Sequence, residues 1–429
     1  MTSRERVRCA LGHRRPDRVP LDLGATSATG IQASAYRDLK RALGIQGGTI
    51  RVSDTFQMLA DVEEPVRRRL GVDTLGVGLP YSVFGYRNEG RQPFRLFDGT
   101  EVEVSGNMAW DVLDGEDIVQ YPCGDRTAPP SARMPKGGYY FDFITRQNPY
   151  REEDLDPRRW AEETFSLFKD EDLRELEETV KTLHESTEYA LVGNTSIANF
   201  GSVSSIQSPH VREPSGIRDI EEFWISYMAR PDYVKEILSH QLEIGMRNLE
   251  RFAQAVGDRV EAVFLSGADF GSQGGPLISP RMYRDFFKPL HARVNRWVHE
   301  NTRWKTFYHT CGSVEALIED FIEAEIDVLN PVQVSAKDMA PELLAERYGG
   351  RIVFWGGGVD TQRTLPFGTA DEVRREAAAN TEVFERAGGF VFAAVHNIQA
   401  NVPPENLMAL FDAVRADIDT GGDKDGLEA

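Results

Sequence analysis

The chain has 429 residues, of which 41% are hydrophobic and 27% charged, enough apolar material for a sizeable core. Its formal charge of -19, from 68 acidic against 49 basic residues, disfavours nucleic acid and anionic membrane as partners. Three scattered cysteines (Cys9, Cys123, Cys311) form no disulfide framework, and no run approaches a membrane span. The basic N-terminus lacks the apolar stretch of a secretory signal, so a reducing cytoplasm is the expected location.

The first predicted strand is Val19-Pro20-Leu21-Asp22-Leu23. Residues from about 80 to 150 are rich in Gly, Pro and aromatics and read as an excursion over one mouth of the fold. Within it, residues 94–104 read as a hairpin turning at Asp98-Gly99. A second strand is Tyr189-Ala190-Leu191-Val192. The second half then alternates short apolar runs with amphipathic stretches: Val263-Phe264-Leu265, Thr306-Phe307-Tyr308, Asp327-Val328-Leu329, Ile352-Val353-Phe354-Trp355 and Phe390-Val391-Phe392. After Ser313, the residues Val314, Leu317, Ile318, Phe321 and Ile322 fall on one helical face. Thr369 and Glu372 form a capping-box pattern, and Gly388-Gly389 closes that helix. Leu407, Leu410, Phe411 and Val414 mark a last helix after Pro403-Pro404. This alternation predicts parallel α/β. Neither a dinucleotide fingerprint nor a phosphate loop follows any strand, which favours a barrel over an open nucleotide-binding sheet. We expect one domain over 1–418 and a disordered tail over 419–429.

In parallel α/β folds the site lies beyond the carboxyl ends of the strands. The residues there are Asp269 and Gln273, then His309 and Cys311, then Asn330 and Gln333, then Asp360, then His396, Asn397 and Gln399. His309 and Cys311, at i and i+2 of a strand end, share a face and offer zinc one imidazole and one thiolate. His-x-Cys alone is a weak pattern, since a packed histidine beside an inert cysteine satisfies it equally well. Zinc needs a further ligand; His396 is the first candidate and Asp269 the second. The Arg67-Arg68-Arg69 run reads as a solvated helix end, and Cys9 and Cys123 receive no role.

The same residues carry a family likeness. Ala268-Asp269-Phe270 through Gly275-Pro276-Leu277-Ile278-Ser279-Pro280 resembles a characteristic segment of uroporphyrinogen decarboxylases. Gly356-Gly357-Gly358-Val359-Asp360 resembles their late glycine-aspartate turn. Val395-His396-Asn397-Ile398 with Val402-Pro403-Pro404-Glu405-Asn406 is similar to their C-terminal histidine motif, and Asp17-Arg18-Val19-Pro20 to their opening. The resemblance implies a (β/α)8 barrel of TIM type. The arginine-rich stretch that follows the first strand in true decarboxylases is here Leu21-Asp22-Leu23-Gly24-Ala25-Thr26-Ser27-Ala28-Thr29-Gly30, without arginine. Arginine is the natural bidentate partner of carboxylates, so a tetrapyrrole substrate loses its support.

His309-x-Cys311-Gly312 instead resembles the zinc motif of the superfamily's corrinoid-dependent methyltransferases. Those use a cysteine as third ligand where this chain has His396. The resemblance implies a zinc-dependent methyltransferase that moves a methyl group between a small donor or acceptor and a separate corrinoid protein. Zinc would be held by His309, Cys311 and His396. Asp269, Gln273 and Asp360 would do the catalytic work, and Asn330, Gln333, Asn397 and Gln399 would bind substrate. None of the eight histidines has Asp two residues before it, so the cobalamin is expected on the partner protein. The alternative is a cofactor-free decarboxylase of a small or cyclic acid, with Asp269 stabilising the protonated intermediate. A non-enzymatic binding barrel is a third reading, opposed by the His, Cys, Asp and Gln gathered at one predicted rim. The sequence leaves a homodimer open.

Overall fold

A computed structural model of the chain describes residues 1–415, so the tail expected at 419–429 lies outside the described residues. Seven parallel strands form one sheet: β1 (Thr74–Gly78), β2 (Ala190–Asn194), β3 (Ala262–Ser266), β4 (Lys305–His309), β5 (Val328–Asn330), β6 (Val353–Trp355) and β7 (Phe390–Val391). Neighbours in space are neighbours in this order, as right-handed βαβ units require. The N-terminal segment fills the eighth position. Leu21 bridges Phe392 in parallel. The Asp22 N–H donates to the Phe392 carbonyl, and the Asp73 N–H to the Leu21 carbonyl, each at 2.8 Å. The first predicted strand thus closes a TIM-type barrel, although regular pairing there shrinks to a single bridge.

Sequence reasoning missed β1. Its residues, Thr-Leu-Gly-Val-Gly, show no apolar run because glycine takes two of its inward positions. A Cβ on Gly76 would lie 2.3 Å from the Ala25 carbonyl oxygen, so only glycine lets the loop after the first strand approach.

Alternation along the strands decides what faces inward. Ala190, Val192, Ala262, Phe264, Phe307, Val328, Val353, Trp355 and Val391 form the barrel interior, joined by Val7, Ala10 and Leu11 of the N-terminal helix Ser3–Leu11. That helix lies across the amino ends of the strands. Its Arg4 N–H donates to the Glu188 carbonyl at 2.8 Å, and Arg8 pairs with Glu261 at 2.6 Å. One mouth is thereby plugged, and the other is left for chemistry. The predicted helices form outside: Glu315–Glu323, Ala370–Ala387 with its Thr369–Glu372 capping box, and Pro404–Arg415.

The excursion leaves from the carboxyl end of β1. The expected hairpin is present, with Gln92–Arg95 antiparallel to Glu101–Val104, and Gly99 takes φ 83° in the turn. It extends a small sheet that also contains Ile50–Asp54 and Leu59–Ala60. A second antiparallel sheet contains Trp110–Val112, Ile118–Gln120, Ala132–Met134 and Asp142–Phe143. Among the described residues no helix is long and apolar enough to cross a membrane.

Candidate metal centre

β4 sets the site. Phe307 and His309 point into the barrel, while Tyr308 points outward and bonds Asn295 Oδ1 at 2.9 Å. His309 is therefore the last inward residue before the open mouth. The chain then turns at once. Thr310 Oγ1 accepts the Phe270 N–H at 2.8 Å, and Gly312 takes φ 87°. This brings Cys311 Sγ to 3.3 Å from His309 Nε2.

The turn depends on two glycines. A Cβ on Gly312 would sit 2.3 Å from the Gly271 carbonyl carbon, and one on Gly271 would sit 2.6 Å from the Cys311 oxygen. Gly312→Ala must pay for left-handed backbone as well as this clash, so it should destabilise the protein by at least about 1–3 kcal/mol. Thermal unfolding checks this; an unchanged midpoint would show that the loop yields freely.

His396 follows β7 and reaches the same mouth. Its ring lies 5.3 Å from that of His309, centroid to centroid, at 72°. The ligand atoms of His309, Cys311 and His396 all lie within 4.8 Å of one another. A tetrahedral zinc ion needs donor spacings of roughly 3.3–3.8 Å, so closure by about 1 Å completes the geometry. The chemistry of the set also fits, since two imidazoles and one thiol are the donor types zinc prefers. Burial, followed by the neighbouring His309, holds His396 down at about 4, so its imidazole is neutral and keeps a lone pair. Burial, followed by Asp269, pushes the Cys311 thiol well above its ordinary range.

Asn330 orients His309. Its Nδ2 donates to the Trp355 carbonyl at 2.8 Å, which turns Oδ1 toward His309 Nδ1 at 2.7 Å. That network assigns the proton to Nδ1 and leaves the Nε2 lone pair facing Cys311. Gln333 Oε1 accepts the Gly312 N–H at 2.6 Å and so braces the Cys311 turn. Asp269 Oδ1 accepts the Cys311 N–H at 2.7 Å and stands 3.8 Å from His309 Nε2, with its side chain partly open to the mouth.

The other predicted residues bond to the rim. Asn397 accepts the Gly30 N–H at 2.6 Å and donates to Ser27 O at 2.7 Å and Gln57 Oε1 at 2.9 Å. Gln399 donates to the Asn397 carbonyl at 3.1 Å. Buried Asp360 accepts the Gln362 N–H at 2.7 Å, and exposed Gln273 donates to Gln362 Oε1 at 2.7 Å. Two residues absent from the predicted site belong to its support: Trp355, whose carbonyl holds Asn330, and Asp22, which accepts the Trp355 indole N–H at 2.8 Å. A lone acid within an apolar strand was the available signal for Asp22.

A cavity of about 330 Å³ lies between the loop after the first strand segment and β1, lined by Thr26, Ser27, Asp54, Gly76 and Asn194 among others. Two of its wall residues, Ser27 and Gly30, bond Asn397, the residue that follows His396. Burial raises the Asp54 carboxyl above its usual range.

Residues 142–416 match the protein-family model described as Uroporphyrinogen decarboxylase (URO-D), a span that includes His309, Cys311 and His396. A curated relative, the uroporphyrinogen decarboxylase of Psychromonas ingrahamii, is 27% identical over 181 residues. That match covers 39% of this chain and 46% of the relative, so it spans about half the relative's length. The fold is similar to a solved methyltransferase from Methanosarcina mazei, with a TM-score of 0.56 at 16% identity, covering 97% of this chain and 99% of that one.

Proposed function

The chain belongs to the uroporphyrinogen decarboxylase (URO-D) family, and on that premise we propose that it is a zinc-dependent methyltransferase working with a separate corrinoid protein. The observation that carries this reading is the cluster of His309, Cys311 and His396 at one barrel mouth. His309, Cys311 and His396 would hold a zinc ion, which would supply a Lewis acid to stabilise charge on the heteroatom gaining or losing the methyl group. Asn330 keeps His309 in the tautomer whose Nε2 is free. Gln333 and the Asp269 carboxylate fix the backbone on either side of Cys311. Asp269, open to the mouth, is placed to orient the substrate heteroatom and to carry its proton. The cavity walled by Ser27 and Gly30, which bond the neighbour of His396, has the volume of a small-molecule pocket. The corrinoid partner approaches from the same mouth, because the opposite one is filled by the N-terminal helix.

The cofactor-free decarboxylase reading draws on the family and on Asp269. The two readings part on metal. Protein purified without added zinc should hold one zinc per chain and consume free methylated cobalamin in the presence of an acceptor. Metal-free protein that releases carbon dioxide from a small acid would favour the decarboxylase.

The electrostatics give a pH test. Without metal, the raised Cys311 thiol stays protonated near neutrality, whereas His396, at about 4, has no proton to release there. Metal must displace the thiol proton, so affinity should rise with pH, by about tenfold per unit from this group alone. Chelator competition between pH 6 and 8, roughly, measures it; a flat profile would contradict a thiolate ligand.

A further inference from the structure

We propose that Asp22, a carboxyl buried within the barrel, is the positioning residue for both histidines of the metal centre. The inference rests on the metal-centre reading above. Asp22 is 2% exposed and is surrounded by donors: Thr74 Oγ1 at 2.7 Å, Trp355 Nε1 at 2.8 Å and the Ala25 N–H at 3.1 Å. These fix the carboxyl plane and tie the first strand segment to β1 and β6.

Two arms run from it to the site. The first passes through Trp355, which is fully buried. Its indole N–H is held by Asp22, and its carbonyl holds Asn330 Nδ2, whose Oδ1 in turn faces His309 Nδ1. Asp22 thus anchors the one residue whose backbone decides which way the Asn330 amide points, and so which nitrogen of His309 is free for metal. The second arm passes through a small internal cavity of about 10 Å³, lined by Asp22, Thr29 and His396. That is close to the volume one water molecule needs, and Asp22, Thr29 and His396 are the polar side chains of a lining otherwise made by Leu23, Phe392, Leu410 and Phe411 among others. Among the described residues no protein group is hydrogen-bonded to the His396 ring. A water in this cavity would join Asp22 to a ring nitrogen of His396, the water-mediated form of the carboxylate–histidine pair that orients metal-ligating imidazoles.

Asp22→Asn tests this, with Thr74→Val as its control. Thr74→Val also removes a hydrogen bond to Asp22, but at Oδ1, whereas Trp355 holds Oδ2. The first readout is nitrogen NMR of the histidine side chains in metal-free protein. Wild type should show His309 as a single Nδ1–H tautomer. Asp22→Asn should average the two ring nitrogens of His309 and shift those of His396, and Thr74→Val should match wild type. The second readout is zinc affinity by chelator competition, which should fall about 10–100-fold in Asp22→Asn only. If Asp22→Asn fails to fold, Trp355→Phe removes the indole donor, with some loss of buried volume, and should still mix the His309 tautomers. Wild-type histidine resonances in Asp22→Asn, or equal changes in Thr74→Val, would overturn the proposal. A wild-type protein that binds no zinc would overturn the metal-centre reading instead, because the NMR comparison needs no metal.

Discussion

His309→Ala protein should carry no stoichiometric zinc and should lose methyl transfer by well over ~100-fold, the upper range seen when only an outer-shell partner of a ligand is removed. Three features make His309 the costliest of the donors to lose. It is the most enclosed of the three, so its ring also fills the barrel axis beneath the mouth. Its Nε2 stands 3.3 Å from Cys311 Sγ, the shortest donor contact identified in the cluster. Its removal also leaves Asn330 Oδ1, buried and aimed at Nδ1, without a partner. Elemental analysis of variant and wild type prepared side by side, with circular dichroism to establish folding, decides the matter. Equal zinc in both proteins would mean that the metal sits elsewhere.

Asp73→Ala should cost about 3–5 kcal/mol of stability, through the uncompensated charge it leaves buried. Asp73 is fully enclosed just ahead of β1. It accepts from Arg6 Nη1 at 2.7 Å, from Arg18 Nη1 at 2.6 Å and Nη2 at 2.9 Å, and from the Leu21 N–H at 2.9 Å. Arg6 belongs to the plugging helix, and Arg18 and Leu21 to the segment that closes the barrel. One carboxylate therefore joins the plug, the closing segment and β1. Its loss leaves the Arg18 guanidinium with backbone carbonyls alone, takes one of two carboxylate partners from Arg6, which keeps Asp17 at 2.7 Å, and frees the weakest seam, where pairing is a single bridge. Urea unfolding should show a lower midpoint with an unchanged slope. A loss below about 1 kcal/mol, the size of an exposed pair, would contradict this account.

The strands of the second half were legible because strands buried on both faces read as short continuous apolar runs, as in Val353-Phe354-Trp355. The first half was not, for reasons that can be named. β1 surrenders its apolar signature to Gly76, which admits the Ala25 loop, and to Gly78, which packs on Asn194. Ile50–Asp54 pairs with Leu59–Ala60 and with Glu101–Val104 of the excursion, and its alternation of buried Ile50 and Val52 with exposed Arg51 and Ser53 is too short to stand out. At the site, the proximity of His309 and Cys311 is local, set by strand geometry, and could be read directly. The approach of His396 follows from barrel closure, which sets β7 beside the first segment. Asn330 and Gln333 could be placed at the rim from sequence, but their bonds to His309 and Gly312 depend on registers between neighbouring strands. The tie from Asp22 to Trp355 spans almost the whole chain and crosses the barrel interior, where sequence patterns carry no information about pairing.

X-ray absorption at the zinc edge, on protein purified without added metal, tests the central claim most directly. The account predicts one zinc per chain with a single sulfur near about 2.3 Å and nitrogen ligands near about 2.0–2.1 Å. It also predicts that the sulfur signal vanishes in Cys311→Ala and that a nitrogen is lost in His396→Ala. Wild-type protein without stoichiometric zinc, or zinc whose spectrum is the same in both variants, would contradict it.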